Sequence, residues 1–400
     1  MMADKEQNVL ITGSTGLIGQ HILFEKLHEY ASRRKQGGVI YLLIRAKEGR
    51  GATSYIRDLL NNRWTPDYLK KFPLNQLLSY IQIIEGDIRD HDLDILINNQ
   101  IPHHCSLQVY HSAGSVNLRI GEAAEQEVMN NNYKGTQTLL RALRFYPCQF
   151  MFISTAFSCG IREGIIYDQH EPSADPMYRN PYEQSKAEIE QMVESFGARY
   201  HMKTQIARPS VVVGRMLDQP VCYTSKFDVI YGWAQFFWMM REKAAAKKLR
   251  IQINLNSGMN IVPVDVVAKA CVRLSRTNIR QLNIVHEQSI SHRDYLSQIL
   301  NALGFDHYEF VEVMPEDLSS TEKFYYRTVG SVFEPYLNGP QYHFDTTVLT
   351  QLMEDVPQVD IHAGIKDLIA FAMAHDFRED RVREGEQAPG DTAFHARVHA

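Results

Sequence analysis

Tyr182 and Lys186 stand four residues apart in Tyr182-Glu-Gln-Ser-Lys186, a spacing that projects a phenol and an ammonium from one face of a helix. A phenol is a poor acid at neutral pH, with a reference pKa of about 10. A neighbouring ammonium favours the phenolate, and each tenfold gain in acidity is worth about 1.4 kcal/mol. The pair can therefore exchange a proton with a substrate oxygen. Thr155, in Ser154-Thr155 at the end of an apolar segment, offers a hydroxyl to the same oxygen and helps stabilise charge developing there. A Tyr-x-x-x-Lys alone occurs often by chance on an exposed helix, so its weight comes from what precedes it.

What precedes it is Val9-Leu-Ile-Thr-Gly-Ser-Thr-Gly-Leu-Ile-Gly19, an apolar strand running into a glycine turn and a helix. Gly13 permits the tight turn, Gly16 lets a pyrophosphate approach the backbone, and Gly19 lets the helix pack closely on the strand. The helix N-terminus supplies free amides and partial positive charge. The spacing is one residue longer at the front than the usual dinucleotide fingerprint. The second strand ends in Arg45, where an NAD-selective site usually places an acid for the ribose 2′-hydroxyl. Arginine there pairs bidentately with a phosphate and points to NADPH. Asp87, after the third strand, is placed to meet the adenine. His111-Ser-Ala-Gly114, after the fourth, lies beside the phosphates and the nicotinamide ribose.

Six short apolar strands, Val9–Thr12, Val39–Arg45, Ile81–Glu85, Leu107–His111, Gln149–Ser154 and Thr204–Arg208, alternate with helical patterns. That alternation predicts an α/β fold, a Rossmann-type doubly wound parallel sheet with ligands beyond the carboxyl ends of its strands. Gln281 to His286 reads as one further strand. The expected organisation is a dinucleotide-binding domain over 7–214, to which 258–286 returns. A smaller, mainly helical substrate-binding lobe covers 215–257 and 287–380, and a disordered tail 381–400. With 400 residues, two lobes are the natural expectation, and 44% hydrophobic with 22% charged is ordinary globular composition. The net charge of −5 argues against a nucleic-acid surface. The first seven residues hold no apolar signal core, and the run Val229 to Met240 is too short to span a bilayer. Five scattered cysteines without a C-x-x-C pair read as reduced, in a cytoplasmic protein. His103-His104 lacks ligand spacing with any Cys or carboxylate cluster, so no metal is expected.

With these residues in view, the chain resembles the extended short-chain dehydrogenase/reductases, and within them the fatty acyl-CoA reductase and thioester reductase ("male sterility") family. The resemblance rests on Ile11 to Gly19, Tyr41-Leu-Leu-Ile-Arg-Ala-Lys47, Glu85-Gly-Asp-Ile88, Val109 to Asn117, Asn132-Tyr-Lys-Gly-Thr136, Phe152 to Ala156, Tyr182 to Lys186, Arg208-Pro-Ser-Val-Val-Val-Gly214 and Ile261 to Ala268. It implies NADPH-dependent reduction of an acyl thioester, on coenzyme A or a carrier protein, to an aldehyde and in some members onward to the alcohol. Carried over, it implies Gly13, Thr15, Gly16, Leu17 and Gly19 at the pyrophosphate, Arg45 at the 2′-phosphate, and Asp87 with Ile88 at the adenine. It also implies Ala113 and Lys186 at the nicotinamide ribose, Pro209 and Ser210 closing on the nicotinamide, and Thr155, Tyr182 and Lys186 as catalytic residues. Gly114 departs from the alanine common in the family. The C-terminal domain many fatty acyl-CoA reductases append is not recognisable, which leaves carrier-bound or shorter thioesters as plausible as long-chain acyl-CoA. Many extended reductases pair through two sheet-face helices, so a homodimer is an open expectation.

Substrate identity must come from the second lobe. Phe227, Tyr231, Trp233, Phe236, Phe237, Trp238 and Met239 either wall an acyl tunnel or form ordinary lobe core. The basic run Arg241, Lys243, Lys247, Lys248 and Arg250 either receives coenzyme A phosphates or an acidic carrier, or is a solvated helix face. Two other functions fit the same motifs: another extended-reductase chemistry on a sugar nucleotide or sterol-like substrate, such as epimerisation, dehydration or alcohol oxidation, and a non-catalytic NADP(H)-sensing module.

Overall fold

The structure is a computed structural model that describes residues 8–33, 38–45, 51–169, 176–241 and 248–385. Seven strands form one sheet: β1 (Asn8–Thr12), β2 (Ile40–Ile44), β3 (Ile81–Glu85), β4 (Leu107–His111), β5 (Cys148–Ile153), β6 (Lys203–Pro209) and β7 (Gln281–Ile284). They lie in the order β3-β2-β1-β4-β5-β6-β7, with every neighbouring pair parallel. Every residue of β1, β2 and β4 is buried, as expected for strands covered by helices on both faces. One face packs against α1 (Leu17–Arg33) and a later helix, Val264–Leu274, through Leu23, Leu27, Val267 and Cys271. The other packs against α2 (Pro181–Tyr200) and the helix Gly135–Leu143 through Ile189, Val193, Leu139 and Leu140.

The chain leaves β1 for β2 on one side and returns to β4 on the other, so the strand order reverses between β1 and β4. A crevice opens there, beyond the carboxyl ends of the strands, where open α/β sheets bind ligands. The expected α/β doubly wound sheet is therefore the sheet observed, with boundaries differing by a residue or two.

A second core draws on distant segments: Trp64, Phe157, Tyr223, helix α3 (Ile230–Met240), Leu249–Ile253, Tyr295–Leu303, Tyr336 and helix α4 (Ile361–Ala374). Trp233 and Phe237 are buried in it, whereas Met239 is exposed. Most of the aromatic segment is thus lobe core. Arg250 in the basic run is taken by carboxylates, with Nε 2.7 Å from Glu322 Oε1 and Nη1 2.7 Å from Asp317 Oδ1. Lys243 and Lys247 lie outside the described residues, as do 1–7, Ala46-Lys47 and 386–400. Residues 381–384, expected in a disordered tail, instead belong to helix α5 (Glu379–Glu384), because Val382 is fully buried and anchors it. Among the described residues no helix is long and apolar enough to cross a membrane.

Candidate active site

The turn after β1 is built as its glycines require. Gly13 has φ +74, and a Cβ there would meet Ala113 N and Ser112 C at 2.6 Å, so the turn lies directly against the loop after β4. Gly19 packs its bare Cα on the same turn, where a Cβ would meet Gly13 O at 2.3 Å. Gly16 N donates to Gly13 O at 2.9 Å. The turn and the loops after β2, β3 and β4 enclose a cavity of about 430 Å³ lined by Gly13, Thr15, Gly16, Arg45, Asp87, Ile88 and Ala113. Seven of the twelve residues expected at a cofactor thus share one wall.

Charge in this cavity is mainly positive: Arg45, Arg89, Lys226 and Arg383 against Asp87 and Glu127. Arg45 is 64% exposed, with Nη1 3.7 Å from Asp87 Oδ2. Asp87 is gripped by Arg89, whose Nε and Nη2 donate at 2.9 and 2.7 Å. Those hydrogen bonds hold the Asp87 carboxyl below its usual range. A bare-Cα cradle beside exposed guanidiniums fits a phosphate-bearing dinucleotide.

A second cavity of about 360 Å³ adjoins the first, sharing Gly16, Ser112, Gly114 and Lys226. Leu17, Thr155, Tyr182, Pro209 and Ser210 line it. Apolar surface dominates the rest, including Val116, Leu118, Phe157, Val211, Met259 and Phe333. From the described residues of the aromatic segment Asp228, Val229 and Tyr231 reach the wall, and the Tyr231 hydroxyl accepts from Gly214 N at 3.0 Å.

Tyr182 occupies the first turn of α2, which Asn180 caps by accepting from Glu183 N at 3.0 Å, with Pro181 leading the helix. Its hydroxyl has no hydrogen-bond partner among the described residues. Thr155 Oγ1 accepts from Phe157 N at 3.4 Å, which leaves its own proton to donate into the cavity. Lys186 lines neither cavity. Its ammonium lies under the tyrosine, 5.8 Å from the ring centre, and donates to Ile153 O at 2.8 Å. Burial lowers the lysine to about 8, with Glu190 opposing. The Tyr182 phenol moves opposite to the expected direction: burial, then the Glu183 and Asp228 carboxylates, raise it above its ordinary value. Burial and the two carboxylates set the direction, while the buried Lys186 ammonium is turned onto Ile153 O.

Beneath these groups, His111 supports the crevice rather than lining it. Its Nδ1 pairs with Thr12 Oγ1 at 2.7 Å and its Nε2 with Thr136 Oγ1 at 2.8 Å. Burial, then Lys186, lowers it to about 3, so the imidazole is neutral. Glu190 ties the end of β5 to α2 and β6. It accepts from Ser154, from Ser158 Oγ at 2.7 Å and from Arg208 Nη2 at 2.7 Å. Gly114 lies against Asn132, which accepts from Ser115 N at 2.7 Å and holds that loop. Tyr55, Arg89, Lys226, Asp228, Phe333, Tyr336 and Arg383 are wall residues that sequence reasoning missed. Only Arg89 carried a signal, following Gly86-Asp87-Ile88 directly.

Comparison with known proteins decides the family. The family described as "Male sterility protein" matches residues 11–271. The chain belongs to the male sterility protein family. Among relatives of this family, "Fatty acyl-CoA reductase 1" of Gallus gallus is 26% identical over 298 residues, covering 65% of this chain and 53% of the relative. "Fatty acyl-CoA reductase wat" of Drosophila melanogaster is 28% identical over 257 residues, covering 57% and 46%. The chain thus spans about half the length of the curated relatives it matches. Among solved structures, the terminal R domain from the myxalamid PKS-NRPS pathway shares the fold with TM-score 0.66 at 20% identity, covering 96% of this chain and 92% of the domain. UDP-glucuronic acid 4-epimerase from Bacillus cereus, solved with NAD, does so with TM-score 0.60 at 20% identity, covering 91% and 99%. At this identity the solved structures show the shared fold alone.

Proposed function

We propose that this protein reduces an acyl thioester to an aldehyde with NADPH. The observation that carries the reading is the junction of the two cavities, where a phosphate-fitting glycine cradle meets an apolar chamber bearing Tyr182 and Thr155. The relatives named as fatty acyl-CoA reductases support an acyl substrate.

The first cavity fits the cofactor. Gly13, Thr15 and Gly16 would hold its pyrophosphate, with Gly19 keeping α1 close to the turn. Arg45 would take the 2′-phosphate, with Asp87 and Ile88 at the adenine and Ala113 by the nicotinamide ribose. Lys186 would reach the same ribose by releasing Ile153 O. Leu17, Pro209 and Ser210 face the second cavity, where they would flank the nicotinamide. Bound there, the dinucleotide supplies a hydride to the thioester carbon. As charge builds on the carbonyl oxygen, Thr155 donates its hydroxyl proton in a hydrogen bond and Tyr182 transfers its own. The raised pKa of Tyr182 keeps it protonated and ready as a donor at neutral pH. Collapse of the resulting hemithioacetal expels the thiol and leaves the aldehyde. The apolar walls exclude water from this exchange and accept the acyl chain.

The deciding experiment follows NADPH absorbance with acyl-CoA thioesters from C4 to C16 while titrating free thiol, with NADH as control. Coupled loss of NADPH and release of thiol is the expected result. NADPH binding without thiol release from any CoA or carrier-bound thioester would overturn the reading.

A further inference from the structure

Lys226 is the one charged side chain among the described residues that lines both cavities. Its ammonium stands 2.8 Å from Glu379 Oε2. The same carboxylate oxygen accepts from Arg383 Nη2, and the Arg383 side chain lines the dinucleotide cavity. Two cations therefore converge on one carboxylate at the junction, with the Asp228 carboxyl of the second cavity also acting on Lys226. Both pairs are partly exposed, the Lys226 side chain at 37% and Arg383 at 31%. Pairs this open are weakly held and exchange readily for a stronger anion. Glu379 and Arg383 sit on α5, which Val382 anchors in the core and Asn62 ties down by donating to Arg383 O at 2.8 Å. This helix lies beyond the stretch 11–271 that matches the family.

We propose that Lys226 and Arg383 form a diphosphate clamp at the cavity junction, with Glu379 as an internal counter-ion that the incoming diphosphate displaces. A diphosphate offers more oxygens and more charge than one carboxylate, and a guanidinium grips it bidentately. Two ligands of the proposed reaction carry such a group, the dinucleotide and coenzyme A. The clamp deepens the proposed function and rests on it for the coenzyme A arm alone.

The test titrates the full chain and its Lys226→Ala, Arg383→Ala and Glu379→Gln variants with NADPH and, separately, coenzyme A. Tryptophan fluorescence reads binding without turnover, so a failure of thioester reduction leaves the result interpretable. Losing either cation weakens the clamped ligand about tenfold, the size of one charge-assisted hydrogen bond, and lowers the salt dependence of binding. Glu379→Gln tightens the same ligand, because its competitor is gone. Lys226→Arg retains binding and shows that the site still folds. If NADPH responds, the clamp serves the dinucleotide. If coenzyme A responds instead, KM for an acyl-CoA rises in the alanine variants while KM for the matching N-acetylcysteamine thioester, which lacks phosphate, stays put. Unchanged affinity for both ligands, or a Glu379→Gln variant that weakens binding as much as Lys226→Ala, would overturn the proposal and leave the trio as a structural latch for α5.

Discussion

In the proposed reaction, proton supply rests on two residues held in unlike ways. Tyr182 faces the cavity with its hydroxyl unpartnered among the described residues, whereas Lys186 is buried beneath it on Ile153 O. Replacing Tyr182 with Phe should lower kcat by about a hundredfold or more, the usual contribution of a positioned acid. NADPH affinity should stay near wild type, because the phenol is remote from the phosphates; equal loss of both would remove its assigned role. Lys186, lowered to about 8 by burial, is an ammonium below that pH and neutral above it. The kcat/KM profile should therefore fall on a basic limb near pH 8 as the charge beside the ribose is lost, and Lys186→Arg should push that limb beyond the measured range. Arg45 is mostly exposed and only loosely paired with Asp87 at 3.7 Å, so little opposes its turning to a phosphate. Arg45→Ala should weaken NADPH about tenfold or more while sparing NADH, given the strength of a charge-assisted pair. A parallel loss of both dinucleotides would show that Arg45 does not meet the 2′-phosphate.

At the scale of elements, the site depends on how β5, β6 and α2 are tied. Glu190 reaches from α2 to Ser154 and Ser158 after β5 and to Arg208 on β6, with the Arg208 and Glu190 side chains only 3% and 9% exposed. Removing one partner of a buried pair strands the other charge at a cost of about 3 to 5 kcal/mol. Glu190→Ala should lower the urea midpoint accordingly, while Arg208→Met combined with Glu190→Leu should recover much of it. A single variant as stable as wild type would show that water already solvates this pair. These ties also explain what was legible beforehand. The glycine turn, the Ser154-Thr155 strand end and the Tyr182–Lys186 spacing are local patterns, each fixed within one strand–turn–helix unit. Lys226, Phe333, Tyr336 and Arg383 reach the cavities from three separate stretches of the chain, with nothing local to mark a charge or a ring as a wall residue. The aromatic segment stays open between tunnel wall and lobe core for a related reason. Its spacing reports a helix with an apolar face, and only the packed lobe shows that Trp233 and Phe237 face its core while Tyr231 also reaches the cavity.

Across the whole molecule, the second core and the sheet are stitched by residues that ignore sequence order. Trp64, from the sheet half of the chain, packs edge-on to Phe371 of α4 at 5.1 Å and stacks near Tyr223, whose hydroxyl accepts from Gln20 of α1 at 2.6 Å. Arg215 is fully buried over the Tyr223 ring at 4.6 Å and donates to Trp64 O. All three tryptophans, Trp64, Trp233 and Trp238, lie in or against this lobe core, and the two sheet-face cores contain none. Tryptophan emission therefore reports the lobe, while far-UV circular dichroism reports the whole chain. A dinucleotide bound at the sheet crevice at a hundred times its Kd stabilises the folded state it binds by about 2.7 kcal/mol. If the stitched interface makes the chain one cooperative unit, NADPH should raise the urea midpoint seen by emission as far as that seen by dichroism. If the lobe unfolds by itself, emission will stay behind while dichroism splits into two steps. In that event Phe371→Ala should leave the dichroism step that NADPH shifts where it was, whereas a single unit would lose stability in both signals together.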